Sequence, residues 1–381
     1  MKIIGIIAEY NPLHLGHIYQ LNKIKELYPN SIIILITNGT FTQRGEVSII
    51  NKWDKTKICL NNNIDLIIEL PFAYATQSAD TFAKGALTIL NHLKIDTLVF
   101  GSESDNINNI KKIVDTQLNN RDYDTKLKNY LDTGLNYPTA MSKALHDILN
   151  FSITEPNDLL GISYLKEIIS NNYPITPITI KRIGSYHETE IKQNIISASL
   201  IRKLQLEKKD ITPHIATNTK KYLYSNLSNE NYFQYLKYKI LSSKDLSIYQ
   251  TVEEGIENRI KKAIIISNTW EELIQNVKTK RYTYNKINRM LIHILISFTK
   301  KEAKNLEINY IRLLGFSTEG QKYLNSIKKE LTLPIITTYK KNFSLLLDLE
   351  LRATSIYYLP INLNEFEKEF KQQPIRKNQN N

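Results

Sequence analysis

Glu9-Tyr10-Asn11-Pro12-Leu13-His14-Leu15-Gly16-His17 joins two stretches of different periodicity. Before it, Ile3-Ile4-Gly5-Ile6-Ile7-Ala8 is a short apolar run of the kind that forms a buried strand. After it, Ile18, Leu21, Ile24 and Leu27 recur at helical spacing. The His-x-Gly-His element therefore lies at a strand-to-helix turn, where an open α/β sheet binds nucleotides. A helix N-terminus offers free backbone N–H groups and the positive end of its dipole to phosphate. Two imidazoles three residues apart add donors on the same turn. Gly16, lacking a Cβ, leaves space for a base or ribose to approach the backbone. Asn11-Pro12 is a turn signal that aims the chain into the helix. Two rivals are weaker: a capping pair on an ordinary helix, and a zinc site, for which no Cys or acidic partner stands at ligand spacing.

The chain of 381 residues is long enough for two or three domains. Its one cysteine, Cys59, excludes an internal disulfide and sits in an apolar helical context, as a core residue rather than a nucleophile. No signal peptide or membrane span is expected, and a cytoplasmic setting is. The net charge of +12 is unevenly held. Residues 1–180 carry 16 Lys+Arg against 18 Asp+Glu, whereas residues 181–381 carry 34 against 20. Such a split suits a nucleic-acid-binding surface added to a catalytic unit; generic solubility charge is the plainer alternative.

Strands are expected at 3–8, 31–37, 64–70 and 96–100, and helices at 16–28, 49–61, 79–93 and 106–118. That alternation predicts a parallel sheet covered on both faces. Its strands end in polar loops: Asn38–Glu46, Pro71-Phe72-Ala73 and Gly101-Ser102-Glu103. These should ring one crevice, with Gly39 and Gly45 bracketing a flexible loop that carries Gln43 and Arg44. Gly101, directly after a strand, would let adenine or ribose approach. Residues 119–173 read as helical, and a strand over 175–183 brings Lys181 and Arg182 to its end. In Ile196-Ser197-Ala198-Ser199-Leu200-Ile201-Arg202, Ser197 is a candidate N-cap and Ser199 lies in the first turn. This second helix start could grip the same triphosphate from the other side. Beyond 205 the pattern is mainly helical, over 231–242, 257–276, 283–298 and 320–330. Cations and aromatics interleave in Lys278–Arg289, as RNA recognition favours.

The His-x-Gly-His turn with the later Ile-Ser-x-Ser-x-Ile-Arg resembles the nucleotidyltransferase superfamily, and more closely the bacterial tRNA(Met) cytidine acetate ligase family. The landmarks are Glu9-Tyr10-Asn11-Pro12, Gln43-Arg44-Gly45-Glu46, Glu69-Leu70-Pro71-Phe72 and Phe100-Gly101-Ser102-Glu103. Then follow Pro156–Gly161, Ile180–Gly184, Thr279–Thr283 and Arg312–Phe316. The resemblance implies ATP-dependent activation of acetate and acetylation of N4 of the wobble cytidine of elongator tRNA(Met). It implies ATP contacts at Ile7, Ala8, Glu9, Tyr10, Asn11, Pro12, His14, Gly16, His17, Gln20, Gly101, Asn157 and Arg182. Leu13, Leu15, Thr40, Val47 and Lys55 stand where that family would lead one to expect Phe, Asn, Asn, Pro and Arg.

The expected architecture is a Rossmann-like α/β nucleotidyltransferase domain with a parallel sheet over 1–205, a mainly α-helical basic tRNA-binding domain over 206–371, and a disordered tail over 372–381. His14, His17, Arg182, Ser197 and Ser199 are assigned to the phosphates, with Mg²⁺ arriving on ATP and no metal held by the protein itself. No protein partner and no membrane are implied. A small-molecule nucleotidyltransferase shares the turn but leaves the long basic half unexplained. An aminoacyl-tRNA synthetase should show a Lys-Met-Ser-Lys-Ser-like loop, which is absent here. A non-catalytic RNA-binding platform would bind tRNA indifferently to ATP.

Overall fold

The computed structural model describes residues 1–183 and 195–377. Strands β1 (Ile3–Ile7), β2 (Ile32–Asn38), β3 (Leu66–Leu70), β4 (Thr97–Ser102) and β5 (Thr176–Lys181) lie in the first half. With them alternate α1 (Leu15–Leu27), α2 (Lys52–Asn61), α3 (Phe72–Ala75), α4 (Ala79–His92), α5 (Ile107–Asn119), α6 (Arg121–Asp132), α7 (Tyr137–Leu149) and α8 (Pro156–Ser170). Then follow α9 (Ala198–Leu206), α10 (Phe233–Ser242), α11 (Ile256–Ile266), α12 (Trp270–Val277), α13 (Tyr284–Ile296) and α14 (Lys300–Lys304). The chain closes with β6 (Ile311–Phe316), α15 (Thr318–Ile327), β7 (Ile335–Ile336), α16 (Leu345–Tyr358), α17 (Lys368–Lys371) and β8 (Ile375–Arg376).

The sheet runs β5-β4-β1-β2-β3-β6-β7, with β8 beside β6. Strands β5 to β3 in that order are mutually parallel, and β6 joins β3 antiparallel. From β1 the chain goes to β2 on one side and later to β4 on the other. The carboxyl ends of β1 and β4 therefore flank the switch point where such sheets bind ligands. The period of two along β2 sorts its residues between faces: Ile32, Ile34 and Ile36 join one buried cluster, Ile33 and Leu35 the other. Both faces are covered, so the strand reads as one unbroken apolar run.

The mixed α/β architecture is as expected, but the last third of the chain differs from its helical reading. Ile311–Phe316 extends the first-half sheet, pairing with β3 from Leu66↔Phe316 to Glu69↔Arg312 with a shift in register between Ile67 and Ile68. The expected helix over 257–276 is two helices, parted at Ser267, Asn268 and Thr269, where Thr269 caps the second. The tail expected to be disordered contains β8, paired to Gly315 and Phe316; residues 378–381 lie outside the described ones. So does Gly184.

A buried charge cluster secures this closing segment. Lys52 Nζ donates to Glu69 at 2.7 Å and to Glu369 at 2.9 Å, and Arg312 lies 3.8 Å from Glu369. Glu350 accepts the Phe72 N–H, and burial beside Glu69 holds its carboxyl well above the usual range. Among the described residues no helix is long and apolar enough to cross a membrane.

Candidate active site

His14 is the N-cap of α1, and its pairing with His17 is reciprocal. The Gly16 N–H donates to His14 Nδ1 at 3.0 Å, and the His14 N–H donates to His17 Nδ1 at 3.3 Å. The rings stack with centroids 3.7 Å apart. Burial, reinforced by Arg182 and Arg202, lowers the His14 pKa to about 3. Burial and the neighbouring His14 push His17 well below the ordinary value too. Both rings are therefore neutral at pH 7, and because each Nδ1 accepts, each proton sits on Nε2. Both residues line the cavity, each with its Nε2–H outside the capping bonds.

Gly16 serves this pair more than it serves a ligand. A Cβ there would lie 2.9 Å from the His14 ring and 3.3 Å from Ile195. Its missing side chain is what lets His14 fold back over the helix start. Gly101 likewise makes room for protein: a Cβ would meet the Arg182 stem at 3.2 Å. Arg182 crosses the end of β4 and faces Glu103 at 3.6 Å, too long for a hydrogen bond, so among the described residues its buried Nε–H has no acceptor. Glu103 also accepts from the Asn157 side chain and, at 3.2 Å, from the Asp158 N–H. The start of α8 is thereby tied to the end of β4.

Opposite stands α9. Ser197 caps it, accepting the Leu200 N–H at 3.2 Å. Arg202, one turn along, donates to the Asn11 carbonyl at 2.8 Å and to Glu46, with Ser199 Oγ 3.3 Å away. The two helix starts are thus joined through the Asn11 carbonyl. Leu13 adds a backbone bond, accepting the Ala216 N–H at 3.1 Å.

The loop carrying Gln43 and Arg44 is clamped rather than flexible. Gly45 has φ +77°, and a Cβ on it would lie 2.6 Å from the Arg289 backbone nitrogen. Asn288 donates to the Arg44 carbonyl at 2.9 Å, and Asn229 donates to the Gly45 carbonyl at 2.8 Å. Asn229 also accepts the Val47 N–H at 2.8 Å. Lys55 fixes the base of this region from below, donating to the Glu9 carbonyl at 2.7 Å and to both oxygens of Asn38. Glu9 Oε1 in turn accepts the Gln43 N–H at 2.5 Å.

These walls enclose a cavity of about 910 Å³. Ile7, Ala8, Glu9, Tyr10, Asn11, His14, His17, Gln20, Gly101, Asn157, Arg182, Ser197 and Ser199 all line it. Pro12 and Gly16 do not: Pro12 closes a cis Asn11-Pro12 bond within the turn, and Gly16 lies beneath His14. Sequence reasoning missed Arg202 as the link between the helix starts, and Arg289. The latter enters from α13 with a pKa lowered to about 10 by burial and by nearby Arg44. Arg281 and Lys286 line the same cavity, so the basic half contributes cations directly to it.

A paired-histidine cap at the switch point of a parallel sheet, faced by a second helix start and an arginine, is a layout of the nucleotidyltransferase class. The HIGH Nucleotidyl Transferase family model matches residues 1–373. A Geobacillus sp. (strain WCH70) protein named tRNA(Met) cytidine acetate ligase is 39% identical over 358 residues, covering 88% of this chain and 89% of that one. One of the same name from Thermoanaerobacter sp. (strain X514) is 41% identical over 382 residues, covering 94% and 95%. The crystal structure of apo Thermotoga maritima TmcAL superposes with a TM-score of 0.90 at 27% identity, covering 99% of each chain. Its form bound with alpha-thio ATP gives 0.88 at 26%, again over 99% of each. The chain belongs to the tRNA(Met) cytidine acetate ligase family, within the HIGH nucleotidyltransferases.

Proposed function

We propose that the chain forms acetyl-adenylate from ATP and acetate, then acetylates N4 of the wobble cytidine of elongator tRNA(Met), releasing AMP. In the first step an acetate oxygen attacks the α-phosphorus and pyrophosphate leaves. This step requires alignment and charge stabilisation rather than a covalent nucleophile. The Nε2–H groups of His14 and His17 donate to the phosphate oxygens, and the Arg182 guanidinium opposes their charge. The start of α9, with Ser197 and Ser199, closes from the far side. Ser197 can still donate its hydroxyl hydrogen, because its capping bond uses only a lone pair. Mg²⁺ accompanies ATP and screens the triphosphate.

In the second step the cytidine leaves the anticodon stack and enters the cavity. Its amine attacks the acetyl carbon and AMP departs. Residues 206–371 supply the tRNA surface, and Arg281, Lys286 and Arg289 bring positive charge to where the RNA backbone enters. The reaction belongs in the cytoplasm with its tRNA.

The observation that carries this reading is the reciprocal cap of His14 and His17, which leaves two neutral N–H donors in one cavity with Arg182. ATP–pyrophosphate exchange tests it. Exchange should require acetate and fall sharply when acetate is omitted; exchange indifferent to acetate would contradict the reading.

A further inference from the structure

We propose that Glu9 is the catalytic base that takes the N4 proton of the cytidine in the transfer step. This rests on the acetate-ligase reading above. The amide-forming step has a defined proton balance. The C–N bond forms, the acyl C–O bond to AMP breaks, and N4 loses one proton. AMP leaves as a phosphate anion and needs no acid, so one base completes the balance.

Among the described residues three carboxylates line the cavity: Glu9, Glu46 and Asp80. Glu46 is committed to Arg202. Asp80 is exposed at the start of α4 and accepts the Ser163 hydroxyl at 2.6 Å. The histidines are excluded by their tautomers, since each Nδ1 already accepts a backbone N–H and Nε2 carries the proton. Glu9 remains. It lies two residues beyond β1 and five before His14, at the carboxyl end of the sheet where the adenylate must form. Its Oε1 is held by the Gln43 N–H, and its backbone is pinned by Lys55. Its other oxygen makes no hydrogen bond among the described residues.

The groups around Glu9 set its basicity. Burial raises its pKa, and Glu46 raises it further, against the lowering effects of the Gln43 N–H, Lys55 and Arg44. From α8, Tyr164 packs into the same region, and its buried hydroxyl has no partner among the described residues. Burial and the neighbouring Glu46 make this carboxylate a stronger base than a solvent-exposed one.

The test separates the half-reactions. Wild-type protein and Glu9→Gln would be loaded with acetyl-adenylate, then mixed with unmodified tRNA(Met) in single-turnover experiments from pH 5 to 8. Pyrophosphate exchange and ATP affinity would be measured in parallel. The proposal expects wild-type transfer to fall on the acid side with one ionisation. In Glu9→Gln that limb should vanish and transfer should drop about 10²- to 10⁴-fold more than exchange does. Equal losses in exchange and transfer, or an unchanged acid limb, would overturn it. Failure of the wild-type protein to acetylate tRNA would instead overturn the reading on which it rests.

Discussion

The His14 and His17 rings lie 3.7 Å apart and 23° from parallel, each Nδ1 turned to a backbone N–H. The same bonds that cap α1 fix the tautomer with which both rings face the cavity. Folding and chemistry are joined in this pair, and substitutions can separate them. His14→Ala should cost about 1 kcal/mol through the lost cap, and about 10²- to 10³-fold in pyrophosphate exchange through the lost donor. His14→Asn keeps a capping acceptor, so it should recover the stability and not the rate. Denaturant unfolding and exchange assays on the two variants check this, with tRNA binding expected to hold in both.

The buried imidazole also predicts a pH dependence. An unfolded histidine titrates near 6.5, whereas His14 in the fold does so at about 3. Between these values the unfolded chain binds a proton that the folded chain refuses, so stability is full above about pH 6.5 and falls on acidification. The slope approaches about 1.4 kcal/mol per pH unit for one such group. Glu9 and Glu350, whose pKa values are raised, act in the opposite sense. Comparison with His14→Asn isolates the effect: the variant should lose stability less steeply from pH 6.5 to 4.

Two glycines with positive φ should respond differently to alanine. Gly134, at φ +83°, has nothing within 4 Å of its missing Cβ, so Gly134→Ala should cost only about 1 kcal/mol of backbone strain. Gly45 adds contact with the Arg289 backbone at 2.6 Å, and Gly45→Ala should cost about 2–4 kcal/mol. It should also slow exchange by displacing the Gln43–Arg44 loop from α13. Thermal unfolding and exchange measured together distinguish the two variants.

Lys52→Met would leave Glu69 and Glu369 buried without their shared cation. Such a loss costs about 3–5 kcal/mol. Since Glu369 lies on α17, the C-terminal segment should loosen first, read as faster amide exchange over β8 than over β2.

The sequence made the first half of this fold legible because local pattern dominates there. The run from Ile32 to Ile36, the paired histidines and Ser197 each declare their role within a few residues. What it concealed depends on distance along the chain. Gly45 looks like a loop hinge until Asn288 and Arg289 are brought against it. Arg312–Phe316 was visible as a family landmark, yet as a strand it depends on pairing with β3 from far upstream. Arg202 resembled an ordinary helix arginine until the fold set its guanidinium on the Asn11 carbonyl. Gly16 and Gly101 read from sequence as room for a nucleotide, but in the fold the groups packed against them are the His14 ring and the Arg182 stem.

The most direct test of the account combines purified protein, ATP, carboxyl-labelled acetate and unmodified elongator tRNA(Met), followed by nucleoside analysis. The account expects labelled N4-acetylcytidine at the wobble position, dependent on both ATP and acetate. Unlabelled tRNA in the presence of active ATP turnover, or bound tRNA with no transfer at all, would contradict it.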